Sequence, residues 1–371
     1  MFLDNLSYFD GQKPLIIPHR GGSNIVPENT LHGLQMVISE GFTHFETDLR
    51  MSKDGEIFLH HDDSFNRTTD VEGKVKDFNW SEIKTINAGY KFYNSNNLQG
   101  NTTSFVRLED ALLMSQVLKF NLDLKETGLA KKVVEIVLSL NAQNRVLVSS
   151  FSPSRLDEFL LESKGQIATS GTFRENAIAR FLPIKKRNFQ VQALQAPFKW
   201  KGMQIYSKKL VDFCKLNDLQ LHIWTVNSLD NLKICLDLGC DGIITDEPIL
   251  FRKYLNSQTY FVFFLFAFFW GIWGAGFALL TPDVIYGFPY FEYIQSHIGH
   301  SFILIGVSYA LQVDRQKVIR SDPFRILAIT TILLAAIYVV NAFIGMGANY
   351  WYVNFKPEGD SIMNWMRPEP Y

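Results

Sequence analysis

Short apolar runs alternate with stretches of helical period along the first 250 residues. The apolar runs, bounded by polar turns, lie at 15–17, 44–49, 57–59, 121–124, 146–148, 166–168, 191–194, 221–224 and 242–244. Stretches of helical period separate many of them. This alternation predicts an α/β domain with a parallel sheet, and a (β/α)8 TIM barrel is the closest match in size. Nine candidates compete for eight barrel positions, and we expect the run near 167 or the one near 192 to be surplus.

After residue 250 the pattern changes. Residues 251–371 carry 15 of the Lys, Arg, Asp and Glu side chains, whereas the first 250 residues carry 58. Three uncharged stretches of about 20 residues follow, at 260–280, 294–313 and 326–345, and each has the length that crosses a bilayer. Buried core helices are the alternative, chiefly for the second stretch. The predicted organisation is an N-terminal extension (1–13), a barrel (14–255) and a membrane domain (256–371) with about three transmembrane helices.

The flanking charges predict an orientation. Basic residues precede the first span and lie between the second and third, namely Arg252, Lys253, Arg315, Lys317, Arg320 and Arg325. Between the first two spans the charged residues are Asp283 and Glu292, both acidic. The positive-inside tendency then places the barrel in the cytoplasm, as part of a multi-pass membrane protein with the lipid bilayer as a partner. A net charge of −1 argues against a nucleic-acid partner.

Ionisable residues occur where the candidate strands end. His19-Arg20 follows the first strand, Glu46 and Asp48 lie two apart on the second, His60-His61 follows the third, and Asp123 and Lys125 belong to the fourth. Each pair by itself fits a solvated surface. Together they would converge on the carboxyl-end rim of a barrel, where TIM-barrel sites lie. Several buried carboxylates repel one another, and a hard divalent cation bound by oxygen ligands relieves that repulsion.

The motifs resemble a known family over about residues 14–250. HRGGSNIVPENT, FETDLRMSKDGEIFLHHDDSFNRTTD, LDLK, SSF, IWTVN and DGIITDEP occur in the order found in glycerophosphodiester phosphodiesterases. The resemblance implies a phospholipase-C-like TIM barrel and a divalent-metal-dependent hydrolase. The tail, through YGFPYFEYIQSHIGHSFILIGV and ANYWYVNFKP, is faintly similar to a bacterial integral-membrane family of the YwaF type.

The resemblance also implies roles for individual residues. It makes His19 and His61 the general acid/base pair, and it selects His61 over His60 because the family's histidine precedes an aspartate. The remaining implied roles are Glu46, Asp48 and Asp123 as ligands of Mg²⁺ or Ca²⁺, Arg20 and Lys125 on the phosphate, Glu28 as an outer or substrate-linked group, and Trp224 at the mouth. The family usually has glutamate where this chain has Asp123, so metal preference is expected to differ.

The function expected from these observations is hydrolysis of glycerophosphodiesters to sn-glycerol 3-phosphate and an alcohol. The resemblance implies that the glycerol 2-hydroxyl attacks first and that water opens the resulting cyclic phosphate. A membrane tether extends the candidate substrates to lysophospholipids. Two alternatives remain open: a catalytically inactive barrel that acts as a membrane-bound scaffold, and an extracellular hydrolase of teichoic-acid-like polymers.

Overall fold

A computed structural model describes residues 7–182, 185–271 and 322–344, together with six single positions between 298 and 308. The chain divides into two compact units, residues 1–252 and 253–371. The N-terminal unit contains the candidate site, and the two units are described separately.

The N-terminal unit is built on an eight-stranded parallel barrel with one added strand. The strands are β1 (Leu15–Pro18), β2 (His44–Met51), β3 (Ile57–Leu59), β4 (Lys119–Leu124), β5 (Val146–Ser149), β6 (Ala168–Gly171), β7 (Ala193–Pro197), β8 (Lys199–Trp200), β9 (Met203–Gln204), β10 (Gln220–Trp224) and β11 (Gly242–Thr245). Their order is β1-β11-β10-β7-β6-β5-β4-β2-β3, with β8 and β9 forming a separate hairpin. A parallel bridge between His19 and Glu46 joins β1 to β2. The predicted (β/α)8 barrel is therefore confirmed.

The expectation about the surplus strand was wrong. The runs near 167 and 192 both form barrel strands, namely β6 and β7. The extra strand is β3, which pairs antiparallel with the outer part of β2, from Leu49↔Leu59 to Met51↔Ile57. Strand β2 is long enough to rise beyond the barrel, and β3 returns along it. His60 therefore reaches the rim on a returning strand, and its backbone N–H donates to the Asp48 carbonyl at 2.9 Å.

Helices follow most of the barrel strands and cover their outer face. Those of the N-terminal unit are α1 (Leu31–Ser39), α2 (Trp80–Ile83), α3 (Tyr90–Ser95), α4 (Leu108–Met114), α5 (Ala130–Ser139), α6 (Pro153–Ser163), α7 (Phe173–Phe181), α8 (Lys208–Leu216) and α9 (Leu229–Leu238). The largest core cluster lies between this layer and the strands, with Phe45, Leu122 and Val133 fully buried. Burial of such side chains is the main source of fold stability.

The amino end of the barrel is closed by the chain's own N-terminal segment. A short 3₁₀ helix, Ser7–Phe9, buries Tyr8 completely against Leu147, Ala168 and Ala193. The Nε2 of His44 lies 2.7 Å from the Tyr8 carbonyl oxygen, and the two rings meet edge to face at 5.1 Å. This end is filled, mainly by aromatic and aliphatic side chains.

Helix α10 (Pro248–Phe266) follows β11 and contains the boundary between the two units. It continues into a π-helical turn, Ala267–Gly271. A further helix spans Asp322–Ile344 and includes most of the predicted span 326–345. The predicted span 260–280 is described as far as Gly271, and most of the predicted span 294–313 lies outside the described residues. Within the described part of the chain, no helix combines the length and the hydropathy needed to cross a bilayer.

Candidate active site

The carboxyl-end rim of the barrel gathers the ionisable residues that the sequence singled out. Parallel pairing sets Asp48 of β2 directly beside Asp123 of β4, and Asp123 beside Ser149 of β5. Glu46 points to the same face as Asp48 because side chains alternate along a strand. Glu46, Asp48 and Asp123 are all buried. The rim thus holds three carboxylates in one low-dielectric place.

The loop after β1 brings Arg20 over these carboxylates. Its backbone N–H donates to Glu46 at 3.0 Å, and its Nε lies 3.0 Å from Oδ2 of Asp48. Arg20 has a positive φ of 52°, and Gly21 follows at 93°. A side chain at Gly21 would come within 3.1 Å of the Gly33 backbone. Glycine therefore lets this loop turn against the start of α1.

The segment before α1 supplies a second contact to Asp48. Thr30 caps α1 by accepting from the Gly33 N–H. The preceding Asn29, with a φ of 55°, donates from Nδ2 to Asp48 at 2.8 Å and accepts from the Thr47 hydroxyl at 2.6 Å. The helix start thereby places a buried amide on the carboxylate. The PENT motif by itself does not indicate this role of Asn29, because Asp48 and Thr47 lie on a different element.

The three carboxylates differ in the direction of their pKa shifts. Burial raises the pKa of Glu46 above its usual range, and the nearby Asp48 adds to that effect. Burial also raises the pKa of Asp123, in spite of Lys125. For Asp48 burial acts in the same direction, but Lys125 and Arg20 outweigh it and hold its pKa far below the usual range. Two of the three carboxylates therefore lack enough positive charge around them.

Lys125 is the cation shared by Asp48 and Asp123. Its Nζ lies 2.8 Å from Oδ1 of Asp48 and 2.6 Å from Oδ2 of Asp123. The other oxygen of Asp123, Oδ1, is buried and makes no hydrogen bond to any described residue. Lys125 and Arg20, which we predicted on the phosphate, are thus each engaged by carboxylates of the rim.

We tested whether these residues fit the divalent cation that the sequence predicts. As the side chains stand, no group of three His, Cys, Asp or Glu among the described residues is arranged to hold a metal ion. The donor set nevertheless fits: carboxylate oxygens suit Mg²⁺ and Ca²⁺, and Asp123 Oδ1 is an orphaned acceptor. An added cation would also oppose the effects of burial and of the Asp48 charge, which raise the pKa of Glu46 and Asp123.

Two histidine–aspartate pairs flank the carboxylates. His19 Nδ1 lies 2.7 Å from Oδ1 of Asp246, and its Nε2 lies 3.9 Å from Glu46. His61 Nδ1 lies 2.6 Å from Oδ1 of Asp62. Burial lowers the pKa of His19, but Glu46 and Asp246 outweigh that effect and raise it overall. In both pairs the aspartate occupies Nδ1, which leaves Nε2 for another partner.

Asp246 was not identified from the sequence as a site residue. It follows β11 directly, accepts from Ser23 and Asn227 at 2.5 and 2.6 Å, and pairs with His19 across the point where the barrel closes. The signal was available in DGIITDEP, an aspartate at the end of the last strand. Its histidine partner lies 227 positions earlier, so local pattern alone does not reveal the pair.

The structure separates the two adjacent histidines of the HHD segment. His60 is buried against Phe58, Phe65 and Phe105, and its Nε2 lies 3.0 Å from the Ser64 carbonyl oxygen. His61 is one-third exposed at the rim. The assignment of proton transfer to His61 rather than His60 stays a prediction.

Arg67 links two parts of the rim. Its Nη1 and Nη2 donate to the two oxygens of Glu28 at 2.7 Å each, and its Nε donates to Asp62 at 2.6 Å. Glu28 also accepts from Arg20 at 2.9 Å. Arg67 thereby fixes both the partner of His61 and the partner of Arg20. The RTT motif by itself does not indicate this role, because Glu28 lies 39 positions earlier in the chain.

Trp224 ends β10 and lines a cavity beside the carboxylates. Its ring meets Phe151 edge to face at 5.2 Å, and Asp123 lines the same cavity. The expected role of Trp224 at the mouth of the site stays a prediction.

The chain is similar in sequence to a known family of enzymes. The glycerophosphoryl diester phosphodiesterase family model matches residues 19–250. A glycerophosphodiester phosphodiesterase of Caldanaerobacter subterraneus is 30% identical over 252 residues, which cover 64% of this chain and 95% of the relative. The rat lysophospholipase D GDPD1 is 24% identical and covers 66% and 86%. The fold and the relatives define a TIM-barrel phosphodiesterase. The chain belongs to the glycerophosphoryl diester phosphodiesterase family and is an enzyme of that family.

Solved structures agree on the fold. A phosphodiesterase of Oleispira antarctica, solved in complex with the product sn-glycerol-3-phosphate, has a TM-score of 0.52 at 23% identity. The match covers 66% of this chain and 97% of that one. The phosphodiesterase domain of a Mycobacterium tuberculosis protein has a TM-score of 0.54 at 18% identity and covers 66% and 99%.

The tail matches a different family from the one expected. The TMEM164 family model matches residues 249–371. The prediction of a specifically YwaF-type membrane segment is therefore corrected to a match with the TMEM164 family. The motifs that suggested the YwaF type consist of aromatic and polar positions. Such positions do not by themselves separate one integral-membrane family from another.

Proposed function

We propose that this protein hydrolyses glycerophosphodiesters to sn-glycerol 3-phosphate and an alcohol at the carboxyl-end rim of its barrel. The single observation that carries the proposal is the pair of His–Asp contacts that flank three buried carboxylates. The Oleispira structure, which holds sn-glycerol-3-phosphate, and the activity named for the Caldanaerobacter relative support the same chemistry.

The proton transfers belong to His19 and His61. Each histidine has an aspartate at Nδ1, which holds the ring in place. The free Nε2 atoms then exchange protons with the substrate. One withdraws a proton from the attacking hydroxyl, and the other protonates the leaving alcohol.

Glu46, Asp48 and Asp123 would hold a divalent cation, Mg²⁺ or Ca²⁺. When bound, the cation supplies positive charge to the phosphoryl oxygens. Around it, Arg20 and Lys125 supply positive charge to the anionic diester, Glu28 positions Arg20, and Trp224 borders the glycerol. The ion pairs of Arg20 and Lys125 fix these two cations at the rim before the substrate arrives.

We further propose that residues 256–371 anchor the enzyme in a membrane with the barrel on the cytoplasmic side. The low charge of this segment and the basic residues around its apolar stretches support the orientation. The match to the TMEM164 family agrees with a membrane segment. A reporter fused after Tyr371 that is active only in the cytoplasm would contradict the orientation.

The activity is tested with the full-length protein in membranes and glycerophosphocholine as substrate. We expect release of sn-glycerol 3-phosphate and choline, its loss with EDTA, and its return with Mg²⁺ or Ca²⁺. Asp123→Asn should weaken the response to added cation more than it weakens folding, since it removes one ligand charge. Absence of hydrolysis with every cation tested would overturn the proposed function.

A further inference from the structure

The stretch of chain around β7 is strongly basic. Residues 176–211 contain eight Lys and Arg and neither Asp nor Glu, in a chain whose net charge is −1. They include the end of α7, strand β7, the β8–β9 hairpin and the start of α8. None of them belongs to the carboxylate cluster or to the two histidine–aspartate pairs of the candidate active site. The eight basic residues are Arg180, Lys185, Lys186, Arg187, Lys199, Lys201, Lys208 and Lys209.

Large apolar side chains are exposed on the same side of the barrel. Phe181 is 63% exposed at the end of α7, and Trp200 is 50% exposed on the β8–β9 hairpin. Both line one cavity with Phe151 and Phe173, which are also exposed. Met203, again exposed, pairs with Trp200 across the hairpin, and cross-strand partners point to the same side of a sheet. We call these five side chains the aromatic face.

Three basic residues border the aromatic face and lack acidic partners. Arg180, Lys199 and Lys201 are each next in sequence to an aromatic residue of the face. None of the three forms an ion pair with a described residue, and the Nε of Arg180 is buried without a hydrogen-bond partner among those residues. Farther along the basic stretch, by contrast, Lys186 pairs with Asp218. The positive charge beside the aromatic face is therefore available to a partner.

Exposed rings with cations around them fit the interface of a lipid bilayer. A contiguous apolar patch on a protein surface marks an interaction site. Segments that lie in the headgroup region combine Trp, Phe and Leu with Lys and Arg: the apolar side chains enter the boundary with the acyl chains, and the cations stay among the headgroups. Anionic lipids attract such cations. The chemistry of the face is therefore complementary to an anionic lipid surface.

Nucleic acids and acidic proteins fit the aromatic face less well. Nucleic-acid binding depends on many phosphate contacts, whereas only three cations border the face. Recognition of bases or of a peptide backbone also needs free hydrogen-bond donors. Between the rings, Ser150 already donates to the Leu124 carbonyl, and the Asn176 amide donates to the carbonyls of Thr172 and Gln195. Hydrocarbon requires no such donors.

We propose that the aromatic face docks the barrel on an anionic lipid surface. The rings of Phe181 and Trp200 enter the boundary between headgroups and acyl chains, and Arg180, Lys199 and Lys201 contact lipid phosphates. The N-terminal unit makes this contact with its own residues, so it is distinct from the anchoring proposed for residues 256–371. The contact also does not depend on the proposed function, because no group that transfers protons or holds a cation takes part in it.

The first test measures hydrogen exchange of the full-length protein on vesicles. The vesicles are phosphatidylcholine alone or phosphatidylcholine with about 30% phosphatidylglycerol. We expect peptides covering 176–182 and 198–206 to exchange more slowly on the anionic vesicles, and we expect this protection to decrease at high salt, which screens the attraction. Peptides from α5, on another part of the barrel, should exchange equally on both kinds of vesicle.

Two variants and a matched control locate the contact. The double variant Lys199→Ala/Lys201→Ala should lower the equilibrium constant for docking by about 30-fold, since each basic residue near an anionic surface contributes about a factor of five. The peptide 176–182, which contains neither substitution, reports the loss. Trp200→Ser should also reduce the protection of this peptide. Lys74→Ala/Lys76→Ala removes two exposed lysines with the same spacing outside the aromatic face and should have no effect.

Three results would overturn the inference. They are equal exchange on neutral and anionic vesicles, equal losses in the hairpin and control double variants, and protection by polyglutamate or an oligonucleotide without protection by anionic vesicles. The last result would identify an acidic macromolecule as the partner. Thermal midpoints close to that of the parent protein establish that the variants are folded. Turnover of glycerophosphocholine is not measured in these experiments, so their failure leaves the proposed function standing.

Discussion

The two ends of the barrel use histidine in opposite ways. At the carboxyl end, His19 and His61 each contact an aspartate, beside three buried carboxylates. At the amino end, His44 and His222 are buried against the rings of Tyr8 and Phe9, and burial lowers their pKa to about 4 and about 3. The rim keeps charged groups in a buried environment. This costs desolvation free energy, but it is useful for catalysis. The interior of the amino end packs its two histidines in their neutral form, which suits stability.

The largest expected effect lies at the rim. His19→Asn and His61→Asn should each lower kcat for glycerophosphocholine by about 10²- to 10⁴-fold, because each removes a proton-transfer group. Their thermal midpoints should stay close to that of the parent protein. Steady-state kinetics and thermal unfolding of the same preparations measure both quantities.

His60→Asn is the matched control for His61→Asn. It changes the neighbouring residue, whose ring is packed against Phe58, Phe65 and Phe105. We expect lower stability and an almost unchanged kcat in the folded fraction. Equal losses of kcat in the two variants would contradict the separate roles assigned to these histidines.

At the amino end we expect a substitution to lower stability and to leave kcat unchanged. Tyr8→Ala should lower the free energy of unfolding by about 3 kcal/mol, since it empties a fully buried aromatic site. Its kcat should not change. Tyr8→Phe should stay within about 1 kcal/mol of the parent, because the hydroxyl has no hydrogen-bond partner among the described residues. Chemical denaturation measures both variants, and a large loss of kcat in Tyr8→Ala would show that the two ends are not independent.

An aspartate flanks strand β11 at each end, Asp241 before it and Asp246 after it. The two ends of the barrel can therefore be compared on one strand. Asp246→Asn should lower kcat by about 10- to 100-fold with little change in KM, because an amide no longer stabilises the charged form of His19. Asp241→Asn, at the amino end, removes an ion pair with Lys13 and should leave kcat unchanged. The kcat and KM values of the two variants test this difference; similar kinetics in both would count against the His19–Asp246 pair.

The smallest effect is a pH dependence of stability. His222 has a pKa of about 3 in the folded protein because of burial, against 6.5 for an ordinary histidine. The unfolded chain therefore takes up the proton first as the pH falls. The stabilisation is fully present above pH 6.5 and declines by about 1.4 kcal/mol per pH unit, down through pH 3.

Denaturation at pH 7 and pH 5 measures this decline. His222→Gln should lose about 2 kcal/mol less than the parent over that interval, because glutamine does not titrate. The titratable groups that act on His222, namely His44, Asp241 and Lys13, are the same in both proteins. Equal losses in the two proteins would show that His222 is not held neutral.

A cavity beside the rim is lined mainly by aromatic and aliphatic side chains, among them Phe151, Phe181, Trp200 and Trp224. The sequence showed Phe151 and Trp224 in SSF and IWTVN. It did not associate them with Phe181 or Trp200, because these residues meet only when the segments after four different strands assemble.

The strand–helix alternation and the positions of the ionisable residues were readable from the sequence because both are local. Alternation of side chains puts Glu46 and Asp48 on one face within a single strand. Hydrophobic period and turn residues locate most strands without any knowledge of their neighbours. The motif resemblance added the roles of His19 and His61, which periodicity could not supply.

Only the tertiary structure decided which elements meet. β3 is the added strand because it pairs antiparallel with the outer part of β2. Its own three apolar residues do not indicate this pairing. His19 contacts Asp246 because closure of the barrel brings the first and last strands together. Lys125 shares its charge between Asp48 and Asp123 because parallel register sets these carboxylates side by side. Sequence thus determined which chemical groups are available, whereas their charge states and partners depended on long-range pairing and burial.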